Sequence, residues 1–179
     1  MQSLFFPRHR TIYWNMESIV EQSCLECTER SDRLFCDLSD EALKAFDGLK
    51  SIALYARGSV LFREGALPKG IFVLCDGRAR LSVSSESGRR LTVRIAMPGE
   101  VLGLSACLAG TPHEITVELL DNAKIAMVKR QDLMSFLHDR QEACMHVVNL
   151  LSQDLHQAYD RVRAVGMGKS RRPRSLHVH

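Results

Sequence analysis

Gly77, Gly88, Gly99 and Gly110 stand eleven residues apart in the middle of a 179-residue chain, and Gly65 precedes them by twelve. Glycine takes positive φ without a steric cost, so such a series marks places where strands reverse sharply. The runs between the glycines have period two: Ala79, Leu81 and Val83 in one, Leu91, Val93 and Ile95 in the next. Short alternating strands with turn signals about every 8–12 residues predict an all-β roll, sandwich or barrel. The expected strands are Ile52–Arg57, Ser59–Arg63, Ile71–Cys75, Arg78–Ser84, Arg90–Ala96, Val101–Gly103, Ile115–Leu120 and Lys124–Val128. Pro68, Pro98 and Pro112 fall between them, where a missing N–H costs nothing. Ser87-Gly88 reads as a hairpin tip.

Helical signals flank this region. Ser39-Asp40-Glu41 places a capping hydroxyl and two acids at a helix start, with Leu43, Phe46 and Leu49 as an apolar face and Gly48 near the end. Gln131–Leu137 predicts a second short helix. From about Gln141 the apolar period becomes helical: Cys144, Val148, Leu151, Leu155, Ala158, Val162 and Val165 follow one another at steps of 4, 3, 4, 3, 4 and 3. That narrow a/d series predicts a two-helix seam, hence a homodimer, ahead of a helix packed only on its own domain. His138, His146 and His156 fall on or beside this helix and read as a solvated rim. Gly166 is expected to end it.

Composition narrows the function classes. Hydrophobic residues make up 45% and charged residues 25%, with a formal net charge of +3, too small to argue for nucleic acid by itself. No apolar run approaches the ~20 residues needed to cross a bilayer. Residues 1–15 lack a signal-peptide pattern and are expected to be an over-extended gene start ahead of Met16. Six cysteines without a secretion signal predict a reducing, cytoplasmic setting. Between Ser51 and Val128 His113 is the sole histidine, and the chain has neither a G-x-S-x-G elbow nor a phosphate-binding G-x-x-x-x-G-K-[ST] loop, so no catalytic residue is assigned.

Taken in order, Leu34-Phe35-Cys36-Asp37-Leu38-Ser39, Gly58–Gly65 (GSVLFREG), Ile71–Arg80 (IFVLCDGRAR) and Pro98–Gly103 (PGEVLG) resemble the sensor half of Crp/Fnr-family transcription regulators, over about residues 24–166. The resemblance implies an α+β fold. Its centre is a double-stranded β-helix, a jelly-roll-like β-roll of the cyclic-nucleotide-binding type, with short flanking helices and one long C-terminal dimerisation helix. The expected division is an N-terminal extension with a cysteine cluster over 1–36, the sensor roll over 37–138, the dimerisation helix over 139–166 and a basic tail over 167–179. The family continues with a helix-turn-helix domain. Residues 167–179 are too few to supply one, so a frameshift or degenerate gene end is expected. DNA is then a partner only where an intact reader domain is supplied, although Arg171, Arg172 and Arg174 could touch phosphates non-specifically. The alternative reading is a stand-alone ligand-binding or dominant-negative dimerisation module.

The resemblance also places an effector pocket around Gly99, Glu100, Gly103, Leu104, Ser105, His113 and Glu114. Members that bind cAMP set a glutamate on the ribose and an arginine on the cyclic phosphate. Here Leu104 stands at the glutamate-like position and Glu114 near the arginine-like one. A carboxylate repels a phosphate, and burying the phosphate without a cation is costly, so cAMP is not expected.

Cys24-x2-Cys27-x8-Cys36 is the sharpest chemical motif, since thiolates two residues apart can grip one metal centre. The oxygen-sensing branch of the family holds an iron–sulfur cluster on N-terminal cysteines. Its fourth cysteine corresponds to a place near Ala126 here, which leaves Cys107, Cys75 and Cys144 as substitutes. Cys107, expected on an accessible turn, is the preferred one. An iron–sulfur cluster, a zinc clip completed by His113 or a fourth cysteine, and metal-free redox thiols all stand open at this point.

Overall fold

The computed structural model describes residues 16–20, 23, 35, 38–85 and 87–167. Cys24, Cys27, Cys36 and the basic tail lie outside the described residues.

Helix α1 (Asp40–Asp47) starts as the sequence predicts, with the Ser39 hydroxyl accepting from the Ala42 N–H and Asp40 and Glu41 in the first turn. Two antiparallel sheets follow. One runs β1 (Met16–Val20), β2 (Lys50–Tyr55), β9 (Ala123–Lys129), β4 (Gly70–Asp76), β7 (Val101–Leu102). The other runs β3 (Val60–Phe62), β8 (Thr116–Leu119), β5 (Ala79–Ser84), β6 (Arg90–Ala96). Strands β2–β9 form the eight-stranded roll, and β1 adds to its edge by pairing with β2. That strand was not anticipated. Helix α2 (Leu104–Ala109) interrupts the strands, and α3 (Arg130–Asp139) and α4 (Gln141–Met167) close the described chain.

All four evenly spaced glycines have positive φ: 86° at Gly77, 77° at Gly88, 91° at Gly99 and 71° at Gly110. At Gly77 the constraint is doubled, because a Cβ would lie 2.9 Å from that of Ala123. A side chain there would have to force apart the β4–β5 turn and the start of β9.

The first sheet separates two cores, because successive residues of a strand face opposite sides. On β4, Phe72 and Leu74 point into the roll while Ile71 and Val73 point out toward the helices. On β9, Ala123 and Ile125 face inward, and Ala126 and Val128 outward. A strand covered on both faces reads as a continuous apolar run, which is why IFVLC lacks alternation. The outer core is completed by Phe35, Leu38, Leu43 and Phe46, by Leu133 and Phe136 of α3, and by Ala143 and Val147 of α4. Phe35 stacks on Phe46 with centroids 4.5 Å apart, and Phe46 meets Phe136 at 5.7 Å.

Two expectations change. The alternating face of β6 is not core: Leu91 is 66% exposed, and Val93 and Ile95 are exposed with it. The register explains this. Ala96 faces the inner core beside its partner Ala79, so its strand neighbour Ile95 faces outward, and β6 lies at the sheet edge. The long helix also does not end at Gly166 but continues through Met167.

Candidate effector region and the seat of the long helix

The expected pocket residues divide between a turn, a short helix and a loop. In the β6–β7 turn, the Glu100 carboxylate accepts from the Met97 N–H at 2.8 Å and is ion-paired with Arg94. Gly99 and the Glu100 backbone bond to Leu74, which ties the turn to β4. Gly103 then caps α2 with φ +81°. A Cβ on Gly103 would stand 3.0 Å from His113 Cε1 and 3.3 Å from the Phe62 ring, so glycine is needed for close packing as well as for φ.

His113 is the centre of this region. Its ring stacks on Phe62 with centroids 3.9 Å apart and is only 4% exposed. Its backbone N–H donates to Ala66 O at 2.9 Å and its carbonyl accepts from Gly65 N–H at 2.8 Å, so the loop is pinned to the β3–β4 connection. Desolvation pushes the imidazole pKa down, with the Glu114 charge opposing, and so favours the neutral ring. Leu104 is buried in the outer core, whereas Ser105 and Glu114 are exposed. The stretch from Gly103 to Glu114 contains no lysine or arginine. Of the nearby strand cations, Arg80 and Arg90 pair with Glu118 at 3.0 and 3.1 Å, and Arg94 with Glu100. Around His113 the region is thus apolar and aromatic, and its strand cations Arg80, Arg90 and Arg94 are held by carboxylates.

Cys107 requires a correction. It lies inside α2, not on an accessible turn, and is fully buried in the outer core. Burial pushes its thiol pKa up, with Arg130 pulling the other way. Arg130 Nε donates to the Cys107 carbonyl at 2.7 Å and thereby ties the end of α2 to the start of α3. The helix was missed although a signal for it exists: Leu104, Cys107 and Leu108 have helical spacing, with Gly103 and Gly110 at the two ends. Cys75 is half-buried on β4, and Cys144 is exposed on α4. Among the described residues, no three of His, Cys, Asp and Glu group as metal ligands.

The long helix has two unlike halves. Near its start, Ala143 and Val147 are seated in the outer core, with Leu150 and Leu151 packed against it. Of the seven expected seam residues, Leu151 is partly covered by the chain's own roll. Cys144, Val148, Leu155, Ala158, Val162 and Val165 are exposed, the last two to 70%. The helix base is held by charge. The Glu142 carboxylate accepts from Ser39 N–H at 2.6 Å and Ser39 Oγ at 2.7 Å, and these bonds hold its pKa below the ordinary carboxylate value. Arg140 donates to Glu41 at 2.6 Å. Farther along, burial raises the Asp154 pKa, with the Arg94 charge opposing and the Glu100 charge adding to it. No helix of the described residues is long and apolar enough to cross a membrane.

The cyclic nucleotide-binding domain family matches residues 53–140. Among curated proteins, the chain is 23% identical over 143 residues to the nitrogen fixation regulation protein FixK of Bradyrhizobium diazoefficiens, covering 80% of this chain and 59% of that protein. It is 21% identical over 140 residues to the transcriptional activatory protein AadR of Rhodopseudomonas palustris, covering 78% and 57%. The chain therefore spans under two thirds of the length of these relatives. Both are named as regulators rather than enzymes. Among solved structures, the Thermus thermophilus catabolite activator protein superposes with a TM-score of 0.67 at 20% identity, covering 74% of this chain and 62% of that one. The N-terminal domain of a Streptomyces coelicolor transcriptional regulator gives 0.60 at 26% identity, covering 74% and 92%. Residues 53–140 thus carry a cyclic nucleotide-binding domain, and over its roll and helix order the chain is similar to the sensor part of Crp/Fnr-like regulators.

Proposed function

We propose that this chain is the sensing and dimerising part of a Crp/Fnr-type transcription regulator, that cAMP is not its effector, and that its N-terminal cysteines carry a redox or oxygen signal. The observation that carries the reading is α4, whose near end is seated in the roll core while six of seven a/d residues stand exposed. Such a stripe has no use on a solvated helix and is what a second copy of the same helix would cover. DNA is the output only through a reader domain of the kind the family carries.

The exclusion of cAMP is supported by the buried Leu104, the His113–Phe62 stack and the pairing of Arg80, Arg90 and Arg94 with carboxylates. A cyclic phosphate would have to break an ion pair or remain unpaired, and either is costly. For the redox element, Cys24, Cys27 and Cys36 would supply three thiolates to an iron–sulfur or zinc centre. Cys107 does not fit as the fourth, because its thiol is buried and disfavours the ionised form that a metal requires.

The deciding experiment is anaerobic purification with a visible spectrum and iron, sulfide and zinc assays, alongside cAMP calorimetry. Stoichiometric iron and sulfide with a band that bleaches in air are expected, and no heat with cAMP. A colourless, metal-free protein whose thiols do not respond to oxidant would sink the redox reading, and micromolar cAMP binding would sink the exclusion.

A further inference from the structure

Arg140 is the one residue between α3 and α4 that is not helical, with φ −128° and ψ 92°. Its backbone therefore sets the angle at which the long helix departs, since hinges are the few element-terminal residues that absorb a change in φ/ψ. Both sides of this hinge are held by the start of α1. Glu41 grips the Arg140 guanidinium, and Ser39 gives two hydrogen bonds to the Glu142 carboxylate two residues farther on. An exposed ion pair alone is weak, but a carboxylate held by two donors at a helix N-terminus is a charge-assisted and directional contact.

Helix α1 in turn contacts two described residues, Ser23 and Phe35, that stand beside cysteines in the sequence. Ser23 Oγ, next to Cys24, donates to Asp47 of α1 at 3.0 Å. Phe35, next to Cys36, stacks on Phe46 of α1 and shares a core with Ala143 and Val147 of α4.

We infer that the Ser39–Glu142 and Glu41–Arg140 contacts form a clasp through which the position of α1 sets the departure angle of the long helix. Displacement of α1 then releases the first turns of α4. The clasp stands on its own geometry; only its use as a signal path rests on the proposed redox and dimer reading.

Hydrogen exchange on the full chain tests it, with Glu142→Gln, Ser39→Ala, Arg140→Glu and the swap Glu41→Arg/Arg140→Glu. Loss of the charge-assisted contact in Glu142→Gln is expected to speed exchange of amides 145–150 by about tenfold, with β4 and β9 unchanged. Arg140→Glu is expected to do the same and the swap to restore protection. Unchanged exchange in α4, or an equal rise throughout the roll, overturns the clasp. Sedimentation of the same variants reads the signal path: a shifted dimer equilibrium supports it, and an unshifted one overturns it while leaving the clasp standing. If the wild-type chain is monomeric, the dimer reading and with it the signal path fall, while hydrogen exchange still decides the clasp.

Discussion

Ile125 and Leu61 inside the roll are wholly covered, whereas Val162 and Val165 on α4 stand 70% exposed although they are equally apolar. The roll finishes its own burial. Its strands are covered on the inside by one another, and the first sheet is covered on the outside by four helices. Beyond Leu151, the apolar a/d residues of α4 stay exposed among the described residues. One region therefore buries its own apolar residues, and the other leaves an apolar stripe that the proposed dimer would cover. Mutations in the two regions should differ in kind: roll mutations act on unfolding and seam mutations on association.

The largest effect is expected in the roll. Ile125→Ala removes a fully buried side chain from between two sheets and leaves a cavity, which costs about 2–5 kcal/mol. Its urea midpoint should fall sharply, while Val162→Ala, measured at a concentration where the chain is monomeric, should leave the midpoint unmoved. Equal losses in both variants would mean that the far part of α4 packs on the roll after all.

Next comes the seam. Leu155→Asp places a charge at the centre of the proposed interface and should weaken self-association more than about a hundredfold by analytical ultracentrifugation, since an unpaired charge there has to be desolvated. The register can be tested without a new residue. Cys144 is exposed at the head of the a/d series, so two parallel in-register helices bring two copies of it together. Mild oxidation by diamide should give a covalent dimer on a non-reducing gel, and Cys144→Ser should abolish it. A covalent dimer that survives in Cys144→Ser would mean that another thiol forms the link.

The same contrast explains what could be read from sequence. Turn glycines and the a/d series are local or periodic signals, and both translate directly into positive φ and an exposed stripe. What escaped depended on distant partners. The alternation of β6 predicts one buried face, but which face turns inward is decided by its pairing with β5, where Ala96 and not Ile95 meets the core. Cys107 was misplaced because LSACLA is too short to announce a helix against the surrounding strand pattern. The Ser39–Glu142 bond joins residues 103 positions apart and leaves no trace in either local segment. Cys24, Cys27 and Cys36, the strongest chemical motif in the sequence, lie outside the described residues, so their chemistry rests on spacing alone.

The smallest expected effect separates the two regions by pH. His113 is buried in the roll with its pKa below the ordinary 6.5, chiefly through desolvation. A depressed histidine contributes stability that is present above 6.5 and lost as pH falls through its folded value, because acid must place a charge in a buried, desolvated site. Glu142 at the base of α4 has a depressed pKa as well, but from an ordinary 4.5, so its contribution is lost only below that value. Asp154 has the opposite sign. Its pKa is raised from 3.8 by burial, so its contribution is complete below 3.8 and declines as pH rises through the folded value. Between pH 6.5 and 4.5 the roll should therefore weaken while the helix base holds. One proton limits the slope to about 1.4 kcal/mol per pH unit. Urea midpoints measured from pH 7.5 to 5 should fall in the wild-type chain and flatten in His113→Phe, with amides 145–150 equally protected throughout. A wild-type slope that persists in His113→Phe would move the acid sensitivity out of the roll, and early loss of protection at 145–150 would place it at the base of the helix.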